Sequence, residues 1–73
     1  MRERYLEKLE QLHKELLEMG LLCEKAIMKT YRLLLSEEER QELVTRIDAL
    51  EREIDAKERM IESICMQLFL QQQ

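Results

Sequence analysis

A long apolar stripe in the second half of the chain constrains its fold more than any other feature. We call it the core stripe; it advances in alternating steps of four and three residues. Its members are Leu43, Ile47, Leu50, Ile54, Lys57, Ile61, Ile64 and Leu68. This spacing places every member on one side of an α-helix. Only Lys57 interrupts the apolar character, so the stripe predicts a helix that packs along most of its length.

Composition supports an all-helical reading and limits the class of protein. The chain has 73 residues, no Pro and one Gly, with 45% hydrophobic and 38% charged residues, which is typical of long helices in a single domain. The net charge of −4 argues against nucleic acid, whose phosphates require a basic surface. No apolar run approaches a membrane span, and residues 1–4 show no secretory signal. We expect a cytoplasmic protein without membrane insertion.

Two helices of similar length account for the remaining pattern. We expect the first over about residues 2–35, a turn near Ser36, and the second over about residues 37–71. Ser36 begins a capping-box sequence, in which its hydroxyl would accept from the Glu39 N–H while the Glu39 carboxylate accepts from the Ser36 N–H. Helices of equal length joined by a tight turn predict an antiparallel hairpin spanning residues 1–73.

The first helix carries more apolar surface than one partner helix can cover. Its first apolar line is predicted to face the second helix, with Tyr5, Leu12, Met19 and Ala26 widening it. That line is Leu6, Leu9, His13, Leu16, Gly20, Cys23, Ile27, Thr30 and Leu34. A second apolar line, Leu21, Met28 and Leu35, lies on a different face, and Leu17, Leu22 and Leu33 add to it. We therefore expect a homo-oligomeric bundle of at least four helices, a dimer or higher, with an interface at Leu17, Leu21, Met28, Leu35 and Phe69.

Three single residues leave alternatives open. Gly20 inside a helix indicates either close approach of a facing helix or a kink. Lys57 either extends its ammonium group to solvent or sets the register of assembly. His13 is interpreted as an interface residue rather than a metal ligand, because no His or Cys follows it at three or four residues.

The two cysteines, Cys23 and Cys65, fall near opposite ends of the predicted hairpin. That separation excludes a disulfide within one chain. We expect buried free thiols, as in a reducing compartment.

Four carboxylates form an acidic stripe beside the core stripe. They are Glu51, Asp55, Glu58 and Glu62, spaced by four, three and four residues. Like charges one turn apart repel each other, so packing alone does not explain the stripe. Two interpretations follow: the stripe is a solvated face, or its oxygens share a cation.

Two blocks of the sequence resemble the PhoU family, the regulators of bacterial phosphate uptake. Residues 1–27, with their Met19-Gly20 pair, are similar to the first helix of that family. Residues 50–72, which end in Gln71-Gln72, are similar to its second helix. The segment Glu51-Arg52-Glu53-Ile54-Asp55 matches the family motif Glu/Asp-x-x-x-Asp.

The resemblance implies a fold, a ligand and partners. It implies a helical hairpin like the first two helices of a PhoU three-helix repeat, with the third helix missing. It implies that Glu51 and Asp55, with Glu58 and Glu62 at further acidic positions, bind iron, zinc or manganese. It also implies a regulatory or adaptor role in phosphate transport and signalling, with the phosphate-transporter ATPase or its sensor kinase as partner.

The alternative function is a structural homo-oligomerisation module without metal. The chain contains no nucleophile–base pair, glycine-rich phosphate loop or Cys/His metal spacing that would indicate catalysis. We expect no enzyme activity under either reading.

Overall fold

The computed structural model describes residues 2–71 and shows an antiparallel hairpin of two helices. Helix α1 spans Arg2–Leu35 and helix α2 spans Arg40–Gln71. The molecule measures 54 × 15 × 13 Å, close to the length expected for helices of 34 and 32 residues. Within the described residues all regular structure is helical. The predicted all-α hairpin is confirmed, while Met1, Gln72 and Gln73 lie outside the described residues.

The turn begins α2 three residues later than predicted and does not form the capping box. The Ser36 N–H donates to the Arg32 carbonyl (3.1 Å), so it does not donate to the Glu39 carboxylate as the capping box requires. The Ser36 hydroxyl accepts from the Glu38 N–H (3.1 Å) rather than from Glu39. Glu39 has a positive φ of 57°, and its carbonyl accepts the first helical hydrogen bond of α2, from the Leu43 N–H (2.9 Å). A left-handed residue therefore reverses the chain here.

The core stripe of α2 faces α1, as predicted. Leu43, Ile64 and Leu68 are buried, and the other five members, including Lys57, are partly buried. The residues on either side of each member are exposed. The spacing of four and three residues therefore identified the packed side of α2 correctly.

Helix α1 faces α2 with a line of residues that only partly matches the prediction. That line includes the four residues expected to widen the first apolar line, Tyr5, Leu12, Met19 and Ala26, and two residues expected on the second apolar line, Leu22 and Leu33. Eleven residues of α1 are buried or partly buried, and all of them except Glu18 and Cys23 form the inner line, which advances by three and four residues. It consists of Tyr5, Lys8, Leu12, Glu15, Met19, Leu22, Ala26, Lys29 and Leu33. The prediction placed the packed line one residue further along the chain, which rotates the helix by about 100°. Of the first apolar line, only Cys23 is partly buried, and His13 and Gly20 are exposed.

The hairpin buries few of its apolar side chains. Among residues 2–71, the buried apolar side chains are Leu43, Ile64 and Leu68. Both cysteines are free, as predicted, but neither is buried, since Cys23 is partly exposed and Cys65 exposed. The core therefore lies in a single seam between two helices, and the rest of each helix surface faces outward.

Candidate functional site

A three-residue charged cluster lies in the middle of the helix–helix seam. Lys57 from α2 donates hydrogen bonds to Glu15 Oε2 (2.5 Å) and to Glu18 Oε2, both on α1. Glu15 is only 8% exposed, and among residues 2–71 it is the one charged residue that is buried. We call Lys57, Glu15 and Glu18 the Lys57 cluster.

The helix geometry explains why these three groups meet. Glu15 and Glu18 are three residues apart, so they lie on neighbouring positions of one helix face. The antiparallel course of α2 brings Lys57 opposite them, near the middle of both helices. The side chain of Lys57 is long enough for its ammonium group to leave the apolar seam and meet two carboxylates.

The electrostatics of the cluster favour the charged forms. The hydrogen bond from Lys57 lowers the pKa of Glu18 below 4.5, with the lysine charge adding to the effect. The hydrogen bond from Lys57 to Glu15 raises the pKa of Lys57 above 10.5, and the hydrogen bond to Glu18 is the second-largest cause of this rise. The ammonium group is thus held between two carboxylates, which suits it to fixing the two helices against each other rather than to proton transfer at neutral pH.

The acidic stripe lies on the exposed surface of α2. Glu51, Asp55, Glu58 and Glu62 are all exposed. Glu51 and Asp55 lie one turn apart, as do Glu58 and Glu62, as the helical spacing requires. Within residues 2–71, no three His, Cys, Asp or Glu side chains are grouped closely enough to hold a metal ion. Metal binding by the stripe stays a prediction.

A shallow groove follows one side of the hairpin. Its apolar surface comes from Leu21, Met28, Ala49 and Leu50. Its polar residues comprise four cations and two carboxylates, namely Lys25, Lys29, Arg32, Arg46, Glu24 and Glu53. The groove is open, and its cations outnumber its carboxylates.

The predicted interface residues are not covered within the hairpin. Leu17, Leu21, Met28, Leu35 and Phe69 are each more than half exposed. Apart from Cys23, the first apolar line is exposed as well, with Leu34 reaching 76%. A β-carbon added at Gly20 would meet no atom within 4 Å, so α2 does not approach this glycine.

Comparisons with known protein families, with curated proteins and with solved structures find no match to this chain. The resemblance to the PhoU family therefore stays a prediction from the residues quoted above. No helix within residues 2–71 combines the length and apolar character that crossing a bilayer requires.

Sequence reasoning missed Glu15 and Glu18. Both look like ordinary surface carboxylates, because the predicted line passed between them through Leu16. A usable signal was the lone cation of the core stripe, since a partly buried Lys57 requires an anionic partner. Folding the chain back near Ser36 places that partner close to residue 16, where Glu15 and Glu18 are the carboxylates within one turn on each side.

The Lys57 cluster predicts a non-additive pair of substitutions. Lys57→Met should lower the thermal unfolding midpoint, because it would leave the buried Glu15 carboxylate without its cationic partner. Glu15→Leu alone should lower it less, since Glu18 still pairs with Lys57. Combining the two should restore or exceed the wild-type midpoint. Circular dichroism melts at one protein concentration measure the unfolding midpoint of each variant. Lys25→Met, which removes an exposed lysine, is the control. Additive losses would contradict the pairing.

The same cluster predicts how stability depends on pH. Because the folded pKa of Glu18 is lowered, its contribution is present above pH 4.5 and is lost as the pH falls below that value. Because the folded pKa of Lys57 is raised, its contribution is complete below pH 10.5 and is lost as the pH rises through the raised value. Melting midpoints across this range should fall at both ends.

The Lys57→Met variant separates the cluster from the other titrating groups. It should lose the alkaline decline that Lys57 causes and show a shallower acid decline. Arg46→Met, which removes the exposed pair with Glu42, should keep the wild-type profile. Identical profiles for wild type and Lys57→Met would show that the cluster contributes nothing.

Proposed function

We propose that this chain is a self-associating helical module, whose role is to bind and assemble rather than to catalyse. In this proposal a second copy covers the outer face of α1. We define the outer face by the large apolar side chains of α1 that stay exposed. They are Leu6, Leu9, Leu16, Leu17, Leu21, Ile27, Met28, Tyr31, Leu34 and Leu35.

The outer face is the observation that carries the proposal. Its side chains follow α1 from one end to the other, and Ile27 and Leu34 are 67% and 76% exposed. Contiguous apolar surface of this kind is rare on soluble monomers and marks sites of association. A face that runs along a whole helix suits another helix better than a small ligand.

The small core supports the same proposal. The three buried apolar side chains among residues 2–71 provide little hydrophobic stabilisation for a hairpin of this length. Covering the outer face would remove several further leucines from water, each contributing about 1.5–3 kcal/mol if buried completely. A cytoplasmic location fits this proposal, since the free thiols of Cys23 and Cys65 persist in a reducing compartment.

The proposal predicts an assembled mass that one substitution reduces. At micromolar concentration, sedimentation equilibrium should give at least twice the 8.9 kDa protomer mass. Ile27→Glu should weaken association at least tenfold, because it would bury an unpaired charge at the contact. The side chain is exposed in the hairpin, so helix content should be retained.

The matched control is Met66→Glu. Like Ile27, Met66 is more than half exposed, but it lies on α2 and is not part of the outer face. This variant should keep the wild-type mass. A well-folded 8.9 kDa monomer at micromolar concentration would refute the proposal.

A second candidate function is a PhoU-like regulator of phosphate transport that binds metal through the acidic stripe. The exposed carboxylates of Glu51 and Asp55, one turn apart, favour this candidate, because both can reach one hard cation. The transporter ATPase and the sensor kinase remain the partners implied by the resemblance. Iron, zinc and manganese remain the implied metals.

Metal titration tests the second candidate. Protein purified without chelator should carry metal, and saturating zinc, manganese or iron should raise the melting midpoint by about 5 °C or more. Glu51→Gln with Asp55→Asn should abolish the shift. Glu3→Gln with Glu7→Gln, a matched pair on α1, should leave it intact. Absence of bound metal together with no shift in the wild type would end this candidate.

A further inference from the structure

Gly20 has no role within the hairpin that another residue could not fill. It lies inside the continuous helix α1, and its φ is not in the positive range that requires glycine. A β-carbon at this position would point into open space, with no atom within 4 Å. Glycine also destabilises a helix interior relative to alanine. Neither backbone conformation nor contact with α2 explains a glycine here.

The position of Gly20 among the exposed apolar residues of α1 suggests a reason for the glycine. It belongs to the first apolar line, which is exposed and extends equally to both sides of it. Leu6 and Leu34 lie fourteen residues before and after Gly20, and Leu9 and Tyr31 lie eleven residues before and after it. An isologous dimer requires a surface that matches itself after a two-fold rotation.

We propose that two copies of this chain pack with their α1 helices antiparallel and crossing at Gly20. This inference rests on the proposed self-association and adds its geometry. Without a side chain at the crossing, the two backbones approach closely, since the distance between helix axes depends on the side chains at the contact. Leu6 and Leu9 of one copy then meet Leu34 and Tyr31 of the other, so apolar side chains cover each other towards both ends of the line.

Charge favours the antiparallel direction. Glu10 and Glu24 lie beside the first apolar line on the outward side of α1. In a parallel pair each would face its own copy, and like charges at such contacts repel. In the antiparallel pair Glu10 lies near Thr30 and Tyr31 of the other copy, and Glu24 lies near Leu16 and Leu17.

Two substitutions of equal size test the crossing. Gly20→Leu should raise the dimer dissociation constant at least tenfold, because its side chain would separate the two backbones. Ala56→Leu, which adds a similar bulk to an exposed position of α2, should change it less than twofold. Sedimentation equilibrium measures the dissociation constant of each variant, and circular dichroism measures its helix content. We expect the Gly20→Leu hairpin to fold, because a side chain at this position enters open space. Equal effects would overturn the crossing.

Disulfide formation tests the direction, in a Cys65→Ser background. Across an antiparallel crossing at Gly20, the two copies of Cys23 are about 9 Å apart along the helix axes, which is too far for a disulfide. Leu16→Cys should instead cross-link to Cys23 of the other copy, since these positions differ by one residue in distance from Gly20. Within one chain the two lie about 10 Å apart and cannot join.

The outcomes separate this inference from the proposed function. Oxidation should cross-link the Leu16→Cys protein between positions 16 and 23, shown by peptide mapping, and leave the Cys65→Ser protein uncross-linked. A disulfide between two copies of Cys23 would overturn the antiparallel direction. A dimer by mass that forms no disulfide in either protein would overturn the crossing and leave self-association standing. A monomer in every measurement would overturn both.

Discussion

The contact of Lys57 with Glu15 and Glu18 sets the rotation of α1 about its own axis, and the outer surface of the hairpin follows from it. An ammonium group in the middle of a packing stripe is strongly unfavourable unless anions surround it. The inner line meets that requirement through Glu15, with Glu18 one turn beside it. If α1 turned its first apolar line inward instead, Lys57 would meet Leu16 and Gly20.

This choice of rotation has a consequence for the apolar residues of α1. The inner line contains two lysines and a glutamate among its nine members, so it is less apolar than the line left outside. The hairpin therefore exposes more large apolar side chains on α1 than it buries. A structure of this kind gains most of its hydrophobic stabilisation only when another surface covers it. The proposed self-association thus depends on the same charged contact that joins the two helices.

The charged surfaces flank this apolar face without covering it. The basic groove lies between the two helices and shares Leu21 and Met28 with the outer face, whereas the acidic stripe lies on the exposed surface of α2. Both charged surfaces are exposed, and exposed charges contribute more to the specificity and rate of association than to affinity. Their arrangement suits a module in which apolar contact provides the affinity and charge selects the direction.

The sequence by itself determined the two helices, the position of the turn and the packed side of α2. These follow from local rules, because the core stripe advances from Leu43 to Leu68 in steps of four and three, which only one helix face can satisfy. It also indicated that α1 has more apolar surface than α2 can cover. The packed side of α1 was decided by the tertiary structure, because three neighbouring lines on that helix are each apolar enough to pack.

What separated those lines was a contact between residues about forty positions apart. Lys57 needed the carboxylates of Glu15 and Glu18, and a periodic pattern within α1 carries no information about a charge on α2. The turn shows the same limit on a smaller scale, since Ser36 matched a capping sequence, but its N–H already donates to Arg32 and Glu39 takes a left-handed conformation instead. Local sequence determines which segments become helices, whereas the choice between competing faces and caps depends on partners that only the folded chain brings together.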